Sequence, residues 1–381
     1  MPAELVIANA RIVLPDTVIH GAVRAIDGVI ADVTPGASVP RGAVDAEGDF
    51  LLPGLVELHT DNLERHLHPR PGVHWPRRAA VAAHDGEFAA AGATTVLDAL
   101  RVGSVDDERS LGDYAAEAAQ ALDELRRLDL LRADHFIHVR CELTSPNLML
   151  EYDRIGADPR VRLISLMDHT PGQRQFAKLE SYLRYYHEKK EFSDDRMAAF
   201  VERALHLQHA HGRPNRAALI ERARKAQFAV ASHDDATEDH VIESVAMGAT
   251  IAEFPTTVEA AQASRKAGLK VLMGAPNVLR GLSHSGNVSA MALAAEGLVD
   301  ILSSDYAPAS LMLAAFKLAE ECEGWDLPRA VATVSRAPAM AVGLNDRGAV
   351  APGLRADLVR VYHVERLCVT RGLWRAGVRV M

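Results

Sequence analysis

The rhythm of apolar and polar positions changes twice along the chain. From about Leu5 to Phe50, short runs of β-branched residues alternate with polar ones: Leu5–Val13, Ala22–Ile26 and Val29–Val33. A period of two predicts strands, and Asp27-Gly28 between the last two predicts a hairpin. The same rhythm returns from about Arg347, in Gly353–Val361 and Val369–Gly372. Residues 1–52 and 347–381 are therefore read as one small β-sandwich domain formed from both termini. Between them, from 53 to 346, apolar runs that end in polar residues alternate with helical patterns. The strand candidates are Leu55–Asp61, Thr94–Leu100, Phe136–Leu143, Leu163–His169, Phe228–His233, Thr250–Phe254, Lys270–Gly274 and Asp300–Asp305. Helices are expected at Ala79–Ala91, Leu111–Leu131, Asp194–His211, Asn215–Gln227, Thr237–Met247, Thr257–Ala267 and Val288–Gly297. Such alternation predicts an α/β fold with a parallel sheet and crossover helices. About eight strands favour a (β/α)8 TIM-like barrel over an open doubly wound sheet. No Gly-x-Gly-x-x-Gly follows any strand, which weakens a dinucleotide-binding reading.

In a barrel of this type the chemistry gathers at the carboxyl ends of the strands. Here the first candidate ends in His59-Thr60-Asp61, the third in Glu142, the fourth in Asp168-His169, the fifth in His233 and the last in Asp305. On an extended strand His59 and Asp61 leave the same face. Taken singly, such residues more often cap a helix or bind water. Together, His59, Asp61, Glu142, His169, His233 and Asp305 suit one or two divalent cations, with zinc favoured by the imidazoles. Glu142 is the candidate bridge between two ions, and Asp305 the candidate base for an attacking water. Asp98 is expected to orient a ligand histidine without binding metal, ahead of Asp168. A polar barrel mouth without metal is the bland alternative.

Composition narrows the partners. The 381 residues are 48% hydrophobic and 24% charged, with a net charge of -9, which argues against general affinity for nucleic acid. No apolar run is long enough to span a membrane, and Met-Pro-Ala-Glu at the start does not resemble a signal peptide. Three cysteines, Cys141, Cys322 and Cys368, with no paired spacing, are expected to be reduced thiols of a cytoplasmic protein. A homodimer is expected from the size of the barrel.

The stretch Pro53-Gly54-Leu55-Val56-Glu57-Leu58-His59-Thr60-Asp61, the β-rich ends and the late strand ending in Asp305 resemble the amidohydrolase superfamily over nearly the whole chain. That superfamily usually carries His-x-His where this chain has His59-Thr60-Asp61. It also sets its single-histidine ligands on the fifth and sixth strands, where the count above gives the fourth and fifth. One further strand near Met149–Tyr152 would restore the count. The longer run His59–His66 with Pro69–Trp75 is similar to the phosphonate-metabolism diphosphatases of the carbon–phosphorus lyase pathway. So are Met167–Phe176, Ser232–Thr237, and Gly274–Gly281 running into Ser283–Asn287. The resemblance implies hydrolysis of α-D-ribose 1-methylphosphonate 5-triphosphate to the 5-phosphate and pyrophosphate. Such a substrate needs cations and donors. Arg65, Arg70, Arg174, Lys178 and Arg280 follow strand ends, Asn62 adjoins Asp61, and Asn277, Ser283, His284 and Asn287 share a Gly-rich loop suited to an anion. The alternatives are an amidohydrolase acting on a C–N bond, which would need fewer cations, and a silent barrel serving in an assembly. The polar region 179–211 follows a ligand-bearing loop and is expected to form a lid.

Overall fold

The computed structural model describes residues 3–103, 113–172, 174, 194–281 and 286–381. Strands from both termini join in one mixed sheet: β1 (Glu4–Val13), β2 (Val18–Ile26), β3 (Val29–Pro35), β4 (Val44–Asp45), β5 (Phe50–Pro53), β14 (Leu358–Val364), β15 (Leu367–Arg375) and β16 (Val378–Arg379). Its order is β16-β15-β14-β5-β1-β2-β3, with β4 beside β1. The β2–β3 turn puts Asp27 at φ 50° and Gly28 at φ 81°. Two successive left-handed residues are what a tight hairpin needs to match strand twist. Alternate positions of these strands, including Ile7, Ile12, Val23, Leu51, Leu358 and Trp374, close over one apolar core.

The second sheet has eight parallel strands in sequence order: β6 (Leu55–Thr60), β7 (Ala93–Val102), β8 (Asp134–Glu142), β9 (Val161–Met167), β10 (Ala229–His233), β11 (Ile251–Glu253), β12 (Lys270–Gly274) and β13 (Ile301–Ser303). Its first and last members meet through a parallel bridge between Thr60 and Asp305, so the sheet forms the expected (β/α)8 barrel. All six residues of β6 are buried, as expected of a strand covered on both faces. The helices fall near their expected places. Thr237, Thr257 and Ser289 cap three of them by accepting the main-chain N–H of His240, Ala260 and Ala292, which satisfies a donor that the first turn leaves unpaired.

Two stretches differ from expectation. Residues Leu148–Tyr152 are helical, so no extra strand stands between β8 and β9, and the count of eight stands among the described residues. The gap left between the helices Asp194–Leu207 and Arg213–Ala226 is closed by a π turn, Gln208–Gly212. Pro214 stands at the second position of the helix Arg213–Ala226, directly after the π turn. Only the part of the expected lid from 194 onward lies among the described residues.

Close contacts divide the chain into two compact units. One comprises Met1–Asp98, Ala121–Phe136 and Met273–Met381; the other comprises Ala99–Gln120 and Ile137–Leu272. Within the first, Gly54 joins β5 to β6. A Cβ there would stand 2.3 Å from Thr94 Oγ1 and 2.5 Å from its Cγ2, so the Pro-Gly step is a requirement of close approach. Gly54→Ala is expected to destabilise the fold by about 1–3 kcal/mol, and adding Thr94→Ala, which removes Oγ1 and Cγ2 but leaves a Cβ 2.9 Å away, should recover part of the loss. Urea unfolding of the single and double variants checks this.

Candidate active site

Three of the expected ligands come together in the first unit. His59 Nε2 and Asp61 Oδ1 are 3.9 Å apart, and one donor atom from each of His59, Asp61 and Asp305 lies within 4.8 Å of the others. Main-chain bonds across the seam hold them: Asp305 N–H donates to His59 O at 3.0 Å, and Asp61 N–H to Asp305 O at 2.9 Å. Asp305 has a left-handed backbone, φ 53°, a conformation that costs a non-glycine residue about 1–2 kcal/mol. Such strain persists where the surroundings over-determine it, and it clusters at functional sites.

One pleat before His59 lies Glu57, fully buried. Its Oε1 accepts the main-chain N–H of His59 at 2.6 Å and its Oε2 that of Ser304 at 2.7 Å. Burial pushes its pKa up to about 7 against the pull of those donors.

The second unit gathers the other three. His169 Nδ1 donates to Glu142 Oε2 at 2.6 Å, and Thr144 Oγ1 to Glu142 Oε1 at 3.0 Å. The rings of His169 and His233 are 5.8 Å apart, edge to face. Burial opposes charge on His169, but adjacent Glu142 outweighs it and raises the pKa. Glu142, for the same reason, is held below the usual carboxylate range despite its burial. Asp234 was not among the expected ligands. Its Oδ2 accepts from His233 Nδ1 at 2.7 Å and lies 4.0 Å from His169 Nε2. It follows β10 directly and, like Asp305, takes a left-handed backbone, φ 57°. Glu253, at the end of β11, brings Oε2 to 3.8 Å from His233 Nε2, and His138 Nε2 meets Ser165 Oγ at 2.9 Å.

Asp98 takes a different place from the one expected. Its two oxygens accept from His84 Nε2 at 2.7 Å and His135 Nδ1 at 2.8 Å, and neither histidine was a candidate ligand. His135 Nε2 reaches Asp85 at 3.3 Å, and all four side chains are buried. Burial disfavours charge on His135, yet the two carboxylates push its pKa up to about 10. His84, where burial dominates, is lowered. Asp98 is lowered too, because the two histidines overcome its burial. Asp168 accepts the N–H of Thr170 at 3.1 Å and so caps a turn.

The expected substrate contacts divide in three. Arg65, Arg70 and Arg280 are exposed, and Arg65 Nη1 donates to the carbonyl of Tyr306, next to Asp305, at 2.8 Å. Others are engaged within the protein. Asn62 is fully buried, its amide nitrogen 2.8 Å from Glu87 Oε2 and 3.3 Å from His84 Nδ1. Arg174 is buried against Asp235 and Glu243. Asn277 ties the ends of its loop together, donating to Val288 O and accepting from Ala290 N, while Asn287 is half-buried. Lys178, Ser283 and His284 lie outside the described residues.

An eight-stranded parallel barrel with imidazole and carboxylate pairs at its strand ends, beside a mixed sheet from both termini, is the architecture of the amidohydrolase superfamily. Solved structures agree on the fold. The chain matches N-isopropylammelide isopropylaminohydrolase from Burkholderia multivorans at TM-score 0.63 and 19% identity, covering 99% of this chain and 98% of that one. It matches N-acetyl-D-glucosamine-6-phosphate deacetylase from Mycobacterium smegmatis at TM-score 0.64 and 17% identity, covering 99% of each. No family model matches the sequence. The α-D-ribose 1-methylphosphonate 5-triphosphate diphosphatase of Escherichia coli K12 is 45% identical over 377 residues, 99% of this chain and 100% of that protein. The chain belongs to the family of that diphosphatase.

Proposed function

We propose that the protein hydrolyses α-D-ribose 1-methylphosphonate 5-triphosphate to the 5-phosphate and pyrophosphate, with a divalent cation as cofactor. The observation that carries this is the 45% identity to the diphosphatase along the entire length of both chains. The fold alone does not choose, since barrels of this architecture serve several chemistries.

The donor set fits a divalent cation. His59, Asp61 and Asp305 form one group; His169 and His233 form another with Asp234, and Glu142 bonds His169 beside it, all at carboxyl ends of strands in one parallel sheet, where such barrels keep their sites. Each group would hold a divalent ion within its own unit, His59, Asp61 and Asp305 in the first and Glu142, His169 and His233 in the second, so that one or two ions are bound, zinc being favoured by the three imidazoles. A cation held there lowers the pKa of water and polarises phosphoryl oxygens. The chain's own residues supply the rest. Asp305 takes the proton of the attacking water on its carboxylate. Arg65, Arg70 and Arg280 hold phosphate and phosphonate oxygens through forked donors, and Arg65 is fixed beside Asp305 by the Tyr306 carbonyl. Attack at the α-phosphorus then releases pyrophosphate. The three cysteines are unpaired, which suits a cytoplasmic setting. No helix among the described residues is long and apolar enough to cross a membrane.

Hydrolysis in oxygen-labelled water, followed by phosphorus NMR, tests the reading. Pyrophosphate should be the first product, with the label in the ribose 5-phosphate. Orthophosphate as first product would overturn it. Chelation should abolish turnover, and added zinc should restore it.

A further inference from the structure

In a parallel sheet, main-chain N–H groups donate to carbonyls of the neighbouring strand. At the barrel seam several do not: the N–H groups of Val56 and Leu302 donate to the carbonyls of Val334 and Thr333, outside the barrel strands. The N–H groups of His59 and Ser304 donate instead to the two oxygens of Glu57, at 2.6 and 2.7 Å. Direct main-chain pairing takes over just beyond, at Asp305 and Asp61. Glu57 and His59 are two apart on β6, hence on one face, and Glu57 has no exposed surface. A buried carboxylate is costly to keep between apolar Val56 and Leu58, so its place calls for a reason beyond filling space.

We infer that Glu57 is a positioning residue of the hydrolytic site, bridging the strand end that carries His59 and Asp61 to the one that carries Asp305. The inference rests on the metal reading proposed above. One carboxylate receives a donor from each side of the seam, so it sets the separation of the two strand ends and with it the spacing of three donors. An amide in its place keeps one accepting oxygen but turns an NH2 group toward the other N–H, so one of the two bonds is lost.

The test compares wild type with Glu57→Gln and, if that variant does not fold, Glu57→Asp, which keeps the charge but is one carbon short of spanning both donors. Zinc affinity of the metal-free protein is expected to fall roughly 10–100-fold, the usual effect of removing a group that orients metal ligands. At saturating zinc, kcat should fall while KM is unchanged. A purely structural role would lower the thermal midpoint of the metal-free protein and leave zinc affinity and kcat as they are; that result overturns the inference. Hydrogen exchange on metal-free wild type gives a readout independent of any variant. Peptides covering His59 and Ser304 should be protected, and rapid exchange there also overturns it. If wild type itself takes up no zinc, the metal reading fails. If wild type binds zinc and the variant binds it equally tightly, the positioning role alone fails.

Discussion

Replacing Asp305 by asparagine is expected to lower turnover by roughly 10²–10⁴-fold, the range for loss of a general base, with the fold intact. Asparagine tolerates the left-handed backbone that Asp305 adopts. The two seam bonds at this position are made by its main chain, so the substitution leaves them in place. What disappears is the negative charge that, on the reading proposed above, accepts the proton of the attacking water and helps hold the cation. Asp305→Gly sharpens the contrast. It relieves the backbone strain and is expected to leave stability equal or higher while abolishing turnover. Steady-state rates of pyrophosphate release beside thermal midpoints check both variants. Near-wild-type turnover in Asp305→Asn would remove the residue from the role of base.

Asp98→Ala is expected to destabilise the protein by about 3–5 kcal/mol, the cost of breaking a buried ion pair by removing one partner. His135 would keep Asp85 but lose its closer partner. The effect depends on pH in a defined sense. His135 has its folded-state pKa raised from 6.5 to about 10, so its contribution is fully present below pH 6.5 and is lost as pH rises through about 10. Asp98 is shifted down from 3.8, so its contribution is present above that value and is lost in stronger acid. The gap between wild type and variant should therefore be widest from about pH 4 to 6.5 and shrink toward pH 10. Urea titrations across that range measure it, and a gap that grew with pH would contradict the ion-pair account.

The barrel was legible because its strands are apolar runs that end in polar residues, and β6 to β13 lie within a few positions of where that pattern put them. The strand-end groups His59-x-Asp61, Glu142, His169, His233 and Asp305 were legible for the same reason. The His84–Asp98–His135 cluster was not. His84 comes from the helix Arg77–Ala90, and His135 from the second residue of β8, far along the sequence from any polar strand end. A histidine on the buried face of a helix gives no pattern of its own. The fate of Asn62 and Arg174 was hidden too, since sequence does not tell a side chain that faces a ligand from one that braces a loop. The Pro53-Gly54 step and the buried Glu57 stood in plain view, but their roles depend on Thr94 and Ser304, distant residues that only the closed barrel brings near.

The bond from Ser304 to Glu57 joins positions 247 apart in the chain, and that distance bears on synthesis. A nascent chain carries His59 and Asp61 early, but their companion Asp305 follows only after seven further strands. Closing so long a loop comes late in folding, because its entropy is spent before the contact repays it. The half-site on the first unit is therefore complete only in the finished polypeptide. On the metal reading proposed above, ribosome-bound fragments ending before β13 are expected to retain no zinc at these residues.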